Sequence, residues 1–134
     1  MARNYRETQI QMELCKYVRL KYRTALFNVD LSGMNLSKTQ SGQAKVMRSG
    51  KGFPDFVLYE PKGKYHGLFI EIKKEGEQIF AKRSPDKEGF VKFASEHLSE
   101  QALMIEMLEQ KGYYATFGVG MDECMKLVDN YMRL

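Results

Sequence analysis

Three ionisable residues lie at the ends of two short apolar runs near the middle of the chain. Asp55 precedes the run 56–59, and Glu71 and Lys73 follow the run 68–70. Side chains alternate between the two faces of a strand, so Glu71 and Lys73 emerge from the same face. If the two runs pair antiparallel, Asp55 and Glu71 come close together at one end of the hairpin. Adjacent carboxylates repel each other, and a bound divalent cation relieves that repulsion.

The oxygen ligands of such a pair suit magnesium or manganese, whose remaining positions are filled by water and phosphate oxygens. A metal, a water and a nearby lysine are the parts of a phosphodiester hydrolase. A more ordinary interpretation also fits, in which an edge hairpin carries Glu71 and Lys73 as a solvated ion pair. The hairpin alone leaves both interpretations open.

A predicted amphipathic helix precedes the hairpin. Apolar residues recur at helical spacing between about residues 5 and 21, at Ile10, Leu14, Tyr17 and Val18. Glu7 falls on the same stripe, where a carboxylate is costly unless it meets a cation or a donor. Glu13 falls toward the margin of the stripe and can reach water. We therefore expect Glu7, and not Glu13, to face the sheet.

A second helix is predicted after the hairpin, from a cap at Ser99 to a left-handed cap at Gly112. Gln101 shares the face of Ile105 and Leu108. Taken singly, a polar residue in a first turn indicates a satisfied cap or a solvated end. Two such residues, Glu7 and Gln101, both aimed at the sheet that carries the carboxylates, favour a shared site.

With these residues in place, the sequence resembles the VRR-NUC family, the virus-type replication-repair nuclease branch of the PD-(D/E)xK superfamily. The resemblance spans most of the chain. The segments that carry it are Glu7-Thr8-Gln9-Ile10-Gln11, Gly52-Phe53-Pro54-Asp55, Glu71-Ile72-Lys73, Ser99-Glu100-Gln101 and Lys111-Gly112-Tyr113-Tyr114-Ala115.

The resemblance implies an α/β, restriction-endonuclease-like fold with a mixed central sheet flanked by helices. It implies a DNA endonuclease that acts on branched or structured DNA, such as junctions or flaps, with Mg²⁺ or Mn²⁺ as cofactor. The implied roles are metal binding by Asp55, Glu71 and the Ile72 carbonyl, catalysis by Lys73, and support from Glu7 and Gln101.

Two departures from the family pattern bear on substrate preference and not on the catalytic residues. A charged insertion between residues 74 and 99 is longer than in the smallest members, and Gly-Phe-Pro-Asp replaces the commoner Gly-Val-Pro-Asp. The insertion is mixed in sign and is predicted to be a loop or a short hairpin without a clear role.

Positive charge is concentrated in residues 31–52, which contain no acidic residue. We expect a polar, mobile, basic loop here that leads directly into Asp55. A solvated loop is the ordinary interpretation, but cations beside a metal site would attract DNA phosphates. The predicted nucleic-acid-binding residues are Lys38, Lys45, Arg48 and Lys51.

Length and composition place bounds on the fold. A chain of 134 residues that is 43% hydrophobic can bury one core, so residues 1–134 are expected to form a single domain. Without an 18-residue apolar run or a signal-peptide core, the expectation is a soluble, cytoplasmic protein with no membrane partner. Cys15 and Cys124 are expected to be reduced thiols on helices.

The partner in solution is predicted to be a second copy of the chain. Leu103 and Met107 form an apolar stripe opposite the one that packs on the sheet, and such a stripe needs cover. The rival functional hypothesis is a nucleic-acid-binding or assembly module that retains the fold without turnover. Its mark would be a missing catalytic residue, and the sequence contains all of them.

Overall fold

The computed structural model describes residues 6–30 and 37–134, and it confirms a mixed α/β architecture. Four strands and four helices make up the described part of the chain. None of these helices is long and apolar enough to cross a membrane. The elements are α1 (Glu7–Lys21), β1 (Phe27–Val29), α2 (Lys38–Val46), β2 (Phe56–Leu58), β3 (Leu68–Lys73), α3 (Glu96–Gln110), β4 (Tyr114–Val119) and α4 (Met121–Met132).

The strands form one sheet in the order β1-β2-β3-β4. The pairs β1-β2 and β2-β3 are antiparallel, whereas β3-β4 is parallel. In the β2-β3 hairpin Phe56 pairs with Ile70 and Leu58 with Leu68. The predicted antiparallel hairpin is therefore confirmed. Its register also determines that Asp55, just before the paired residues, lies opposite Glu71.

Helices cover both faces of the sheet. On one face α1 and α4 bury a continuous apolar core, to which α1 contributes Ile10, Leu14 and Val18 as its stripe predicts. On the other face α3 packs through Met104, Ile105 and Leu108. Alternation along β3 sends Ile70 and Ile72 into the first core, so Glu71 and Lys73 point toward α3.

The basic segment is not the loop that its composition predicts. Residues 31–36 lie outside the described residues, but residues 38–46 form α2. The Ser37 Oγ accepts the N–H of Gln40 at 3.1 Å, and the Gln40 side chain accepts the N–H of Ser37 in return. This reciprocal capping box satisfies two donors and starts the helix.

The predicted start of α3 is wrong by one turn. Ser95, and not Ser99, is the N-cap, and its Oγ accepts the N–H of Leu98 at 3.2 Å. Ser99 lies inside the helix, where its N–H donates to the Ser95 carbonyl. The predicted end is confirmed: Gly112 has a φ of 94°, which a residue with a Cβ adopts only with strain.

Candidate active site

The two strands that form the hairpin bring Asp55 and Glu71 together. Asp55 immediately precedes Phe56, the first paired residue of β2. Continuing the same register by one residue places Asp55 opposite Glu71. Its Oδ2 accepts the backbone N–H of Ile72 at 3.0 Å. This bond holds the Asp55 carboxylate at the end of the hairpin, beside the Glu71 carboxyl group.

Pro54 explains why a main-chain oxygen is left available at this point. The same register places Pro54 opposite Ile72, and proline has no N–H to donate. The N–H and C=O of an antiparallel strand residue point toward the same neighbouring strand. Since the Ile72 N–H reaches Asp55, the Ile72 carbonyl also faces the β2 side, where Pro54 offers it no donor.

Glu71 is buried with only part of its hydrogen-bonding capacity used. Its residue is 3% exposed, its Oε1 accepts from the Gln101 Nε2 at 2.7 Å, and the Lys73 Nζ lies 3.5 Å from that same oxygen. Apart from the hydrogen bond between the Glu71 and Asp55 carboxyl groups, no described residue hydrogen-bonds to the buried Glu71 Oε2, and none hydrogen-bonds to the buried Gln101 Oε1. Buried polar atoms are normally paired, and a ligand bound here would satisfy both oxygens.

Burial and neighbouring charge together keep a proton on this pair. Burial, followed by the charge of Asp55 and a hydrogen bond to it, raises the pKa of Glu71 to about 9. Burial also raises the pKa of Asp55, against hydrogen bonds from Glu71 and from the Ile72 N–H that lower it. Two carboxyl groups so close cannot both ionise cheaply, which is the situation that a bound cation reverses.

Glu7 reaches the same cluster from the first turn of α1. It lies at the rim, exposed on its outer side, and partial burial followed by the charges of Glu77 and Asp55 raises its pKa against the opposing charge of Lys73. Glu13 instead faces solvent and pairs with Lys16 at 3.3 Å. The structure thus brings Glu7, and not Glu13, to the carboxylate pair.

Two side chains near the site escaped the sequence analysis. Glu77 lies beyond the end of β3, and its carboxyl group is hydrogen-bonded to that of Glu7, whose pKa it raises. A turn brings Glu77 to this position, and no periodic pattern in the sequence could reveal it.

The Gln11 Nε2 lies 3.4 Å from the Asp55 carbonyl oxygen and 3.5 Å from the Asp30 carbonyl oxygen, so Gln11 links α1 to the ends of the strands. Gln11 is four residues after Glu7, and this helical spacing, which places both on one face of α1, was the sequence feature that could have predicted its position.

The carboxylate pair, Lys73, Gln101 and Glu7 line a cavity of about 320 Å³. Gly52 forms part of its wall with a φ of 78°, and an added Cβ would lie 3.0 Å from the Glu100 carbonyl oxygen and 3.1 Å from the Gln101 Cα. Glycine therefore lets the segment before Pro54 touch the α3 backbone. The other lining residues are Asp30, Arg48, Phe53 and His97.

Only one of the four predicted DNA-contacting cations lines this cavity. Arg48 does so, and its guanidinium pairs with Asp30 at 2.8 Å. The other three residues, Lys38, Lys45 and Lys51, are exposed on or next to α2, outside the cavity lining.

The donor set of the site suits a hard cation that keeps several ligand positions open. In the described ranges no group of three or more His, Cys, Asp or Glu residues is arranged to hold a metal. Asp55, Glu71 and the Ile72 carbonyl would offer a smaller oxygen set, with two carboxylates and one main-chain oxygen. Magnesium is commonly bound by one or two carboxylates, with water and substrate phosphate completing its shell. The Glu71 carboxyl group, held beside that of Asp55, fits that use.

Comparison with known proteins supports the fold. The structure is similar to a solved structure described as a VRR_NUC domain protein, with a TM-score of 0.65 over 99% of this chain and 93% of that one, at 23% identity. This similarity confirms the predicted nuclease-like fold. The sequence matches no protein-family model and no curated protein.

Proposed function

We propose that the protein is a divalent-metal-dependent endonuclease that hydrolyses phosphodiester bonds in DNA. The observation that carries the proposal is the pairing of Asp55 with the buried Glu71, two carboxyl groups that are hydrogen-bonded to each other and that burial disfavours as charged groups. Such a pair is unfavourable by itself and is relieved by a cation. The VRR_NUC likeness of the fold agrees with this proposal.

In the proposed site Asp55, Glu71 and the Ile72 carbonyl hold Mg²⁺ or Mn²⁺. The bound ion supplies Lewis-acid chemistry and neutralises charge that develops on the phosphate. Lys73 lies on the same strand face as Glu71, with its Nζ 3.5 Å from the Glu71 carboxyl group. An ammonium group in this buried place stabilises negative charge in the transition state and orients the attacking water.

Glu7 and Gln101 position these groups. Gln101 donates to the Glu71 Oε1 and so fixes the carboxyl plane, leaving Oε2 directed away from that bond. Glu7 stands at the cavity rim, where its carboxylate orders water between solvent and Lys73. Both residues therefore act through the carboxylate pair and the lysine.

DNA would approach over the cavity mouth on the side of α2. Lys38, Lys45 and Lys51 are exposed, and Arg48 lies at the mouth beside Asp30. Exposed cations of this kind attract the phosphate backbone without reading sequence. We propose that the substrate is branched or structured DNA, because paired subunits of a nuclease can cut two strands of one junction.

A homodimer would cover the exposed stripe of α3. Leu103 and Met107 remain exposed, whereas Ile105 and Leu108 are buried against the sheet. We propose that a second copy packs on this stripe, which would place two cavities in one particle. Sedimentation at tens of micromolar protein tests the dimer, and a monomer there removes the argument for paired cuts.

The decisive experiment is cleavage of a panel of branched, nicked, gapped and plain duplex DNAs with magnesium, manganese or chelator. We expect metal-dependent hydrolysis by the wild type and none by the Asp55→Asn or Glu71→Gln variant. Glu13→Gln is the matched control, since Glu13 is a carboxylate on α1 outside the site. DNA binding without cleavage under every metal condition would favour the non-catalytic module instead.

A further inference from the structure

The insertion between β3 and α3 is an ordered two-stranded arm, defined here as residues 78–94. The Ala94 N–H donates to the Ile79 carbonyl at 2.9 Å, and the Ala81 N–H donates to the Lys92 carbonyl at 3.0 Å. At the tip, the Asp86 Oδ1 accepts the N–H groups of Glu88 and Phe90. These bonds and the antiparallel bridge between Phe80 and Phe93 give the arm the course of a hairpin.

The arm stands next to the candidate active site. Its base lies beside β4, where Phe80 and Lys82 line one cavity together with Phe117 and Val119. In the β3-β4 ladder Phe117 pairs with Glu71 and Val119 pairs with Lys73. Adjacent strands are about 5 Å apart, so the base of the arm stands on the order of 10 Å from Glu71, or about three nucleotides along a duplex strand, and the tip extends further out.

Aromatic side chains on the arm face solvent. Phe80 is 51% exposed and Phe90, at the tip, is 70% exposed. Phe80 stacks on Phe93 with ring centroids 5.5 Å apart and planes at 26°, so one flat ring face is held in place while the other remains open. Exposed aromatic rings of this kind offer flat faces on which bases can stack.

The exposed charge of the arm itself is mostly positive, although Glu123 of α4 lines the cavity at its base together with Phe80 and Lys82. Lys82, Arg83 and Lys87 are exposed, and no ion pair within the described residues involves them. Asp86 is turned inward to the backbone of the tip and to Lys92, which leaves Glu88 as the exposed acidic residue of the arm. The outer surface therefore combines open aromatic faces with excess positive charge, a combination that fits unpaired bases and their phosphates.

We propose that the arm binds an unpaired segment of DNA beside the scissile bond, with bases stacked on Phe80 and Phe90 and phosphates on Lys82 and Arg83. This inference rests on the proposed nuclease function and narrows its substrate to DNA with a single-stranded stretch next to the cut. Every base offers a ring face, so the contact selects DNA structure and not sequence.

The test measures affinity by fluorescence anisotropy, in calcium, for a plain duplex and for the same duplex with a five-nucleotide gap. We expect Phe90→Ala to weaken gapped-DNA binding by roughly 5- to 150-fold, the range that one stacked base supports. Duplex affinity should stay within about twofold, and Phe90→Trp should restore gapped-DNA binding. Tyr59→Ala is the matched control, because Tyr59 is a 55% exposed aromatic at the opposite end of β2 from Asp55.

Three results would overturn the inference. Unchanged gapped-DNA affinity in Phe90→Ala removes the stacking contact, and an equal loss for both DNAs makes the arm a general phosphate contact. If Phe90→Ala sediments with a different oligomeric state from the wild type, Phe90 is a contact between protein subunits and not a DNA contact. In each case, metal-dependent cleavage by Phe90→Ala would show that the proposed nuclease function survives, whereas a wild type that cuts no DNA in the panel would remove that function itself.

Discussion

The face of the sheet covered by α1 and α4 is apolar, whereas the face covered by α3 also carries buried ionisable groups. Neighbours on β3 show the contrast: Ile70 and Ile72 are fully buried among aliphatic side chains, while Glu71 and Lys73 are nearly as buried but meet Gln101 and each other. One strand therefore contributes to the apolar core on one face and, in the proposed function, to catalysis on the other. The two roles should separate under mutation.

The largest contrast is expected between two adjacent residues of β3. Ile70→Ala should lower the free energy of unfolding by about 2–5 kcal/mol, because it leaves a cavity in the apolar core. Glu71→Gln should keep or raise stability, since it removes a carboxyl group that burial and Asp55 disfavour, yet cleavage should fall by about 10²-fold or more.

Urea unfolding and cleavage per folded molecule measure the two effects. Equal loss of stability in both variants would mean that Glu71 is part of the structural core. Cleavage at the wild-type rate by Glu71→Gln would show that the metal assignment is wrong.

Lys73→Ala should come next in size. If the lysine acts mainly on the transition state, turnover should fall by about 10²-fold while affinity for DNA in calcium persists. Single-turnover cleavage and binding titrations check this separation. Parallel losses of affinity and rate would instead make Lys73 a simple phosphate contact.

The sequence predicts the apolar face better than the polar one. The stripe of α1 and the alternation of β3 can be read from the positions of Ile10, Leu14, Ile70 and Ile72, because a core imposes a period on the chain. The hairpin that joins Asp55 to Glu71 follows from the same alternation. These features depend on neighbours in sequence, so local patterns are enough to find them.

Helices and side chains that do not belong to a periodic apolar stripe cannot be predicted from such local patterns. The described side chains of α2 include no buried residue, so only the Ser37 and Gln40 capping box marks it. The start of α3 was misplaced because Ser95 and Ser99 are one turn apart and both precede apolar residues. Glu77 reaches Glu7 through a turn, and only three-dimensional structure relates the two.

The free energy of unfolding of the metal-free protein should depend on pH because Glu71, on the α3 side of the sheet, titrates differently in the folded and unfolded states. The pKa of Glu71 is about 9 in the folded protein against 4.5 ordinarily, so the folded state keeps a proton that the unfolded state has lost. This contribution to stability is fully present below about pH 4.5 and is lost as pH rises through about 9.

Melting temperatures measured between pH 5 and 9 should therefore fall with pH in the wild type, and fall less in Glu71→Gln. Magnesium should reverse part of the fall, with about 2.7 kcal/mol of stabilisation at a concentration 100 times its Kd. The absence of any magnesium effect at pH 9, where Glu71 is most ionised within this range, would contradict metal binding by this pair.

The smallest and most discriminating comparison lies within α1, between Glu7 and Glu13. Glu7 stands at the rim of the cavity, and Glu13 pairs with Lys16 in solvent. Glu7 also lies in the first helical turn, where a negative charge stabilises the helix by about 0.3–1 kcal/mol. If that is its only role, Glu7→Gln should lower stability slightly and leave cleavage per folded molecule unchanged.

If Glu7 positions water beside Lys73, Glu7→Gln should reduce cleavage by about 10-fold or more at unchanged fold, with Glu13→Gln near the wild type. The pH profile separates positioning from structure: because the pKa of Glu7 is raised, the acidic limb of the cleavage rate should change shape in Glu7→Gln and not in Glu13→Gln. A catalytic loss at Glu13 and none at Glu7 would place the working carboxylate of α1 on its solvent face and end the assignment of Glu7 to the site.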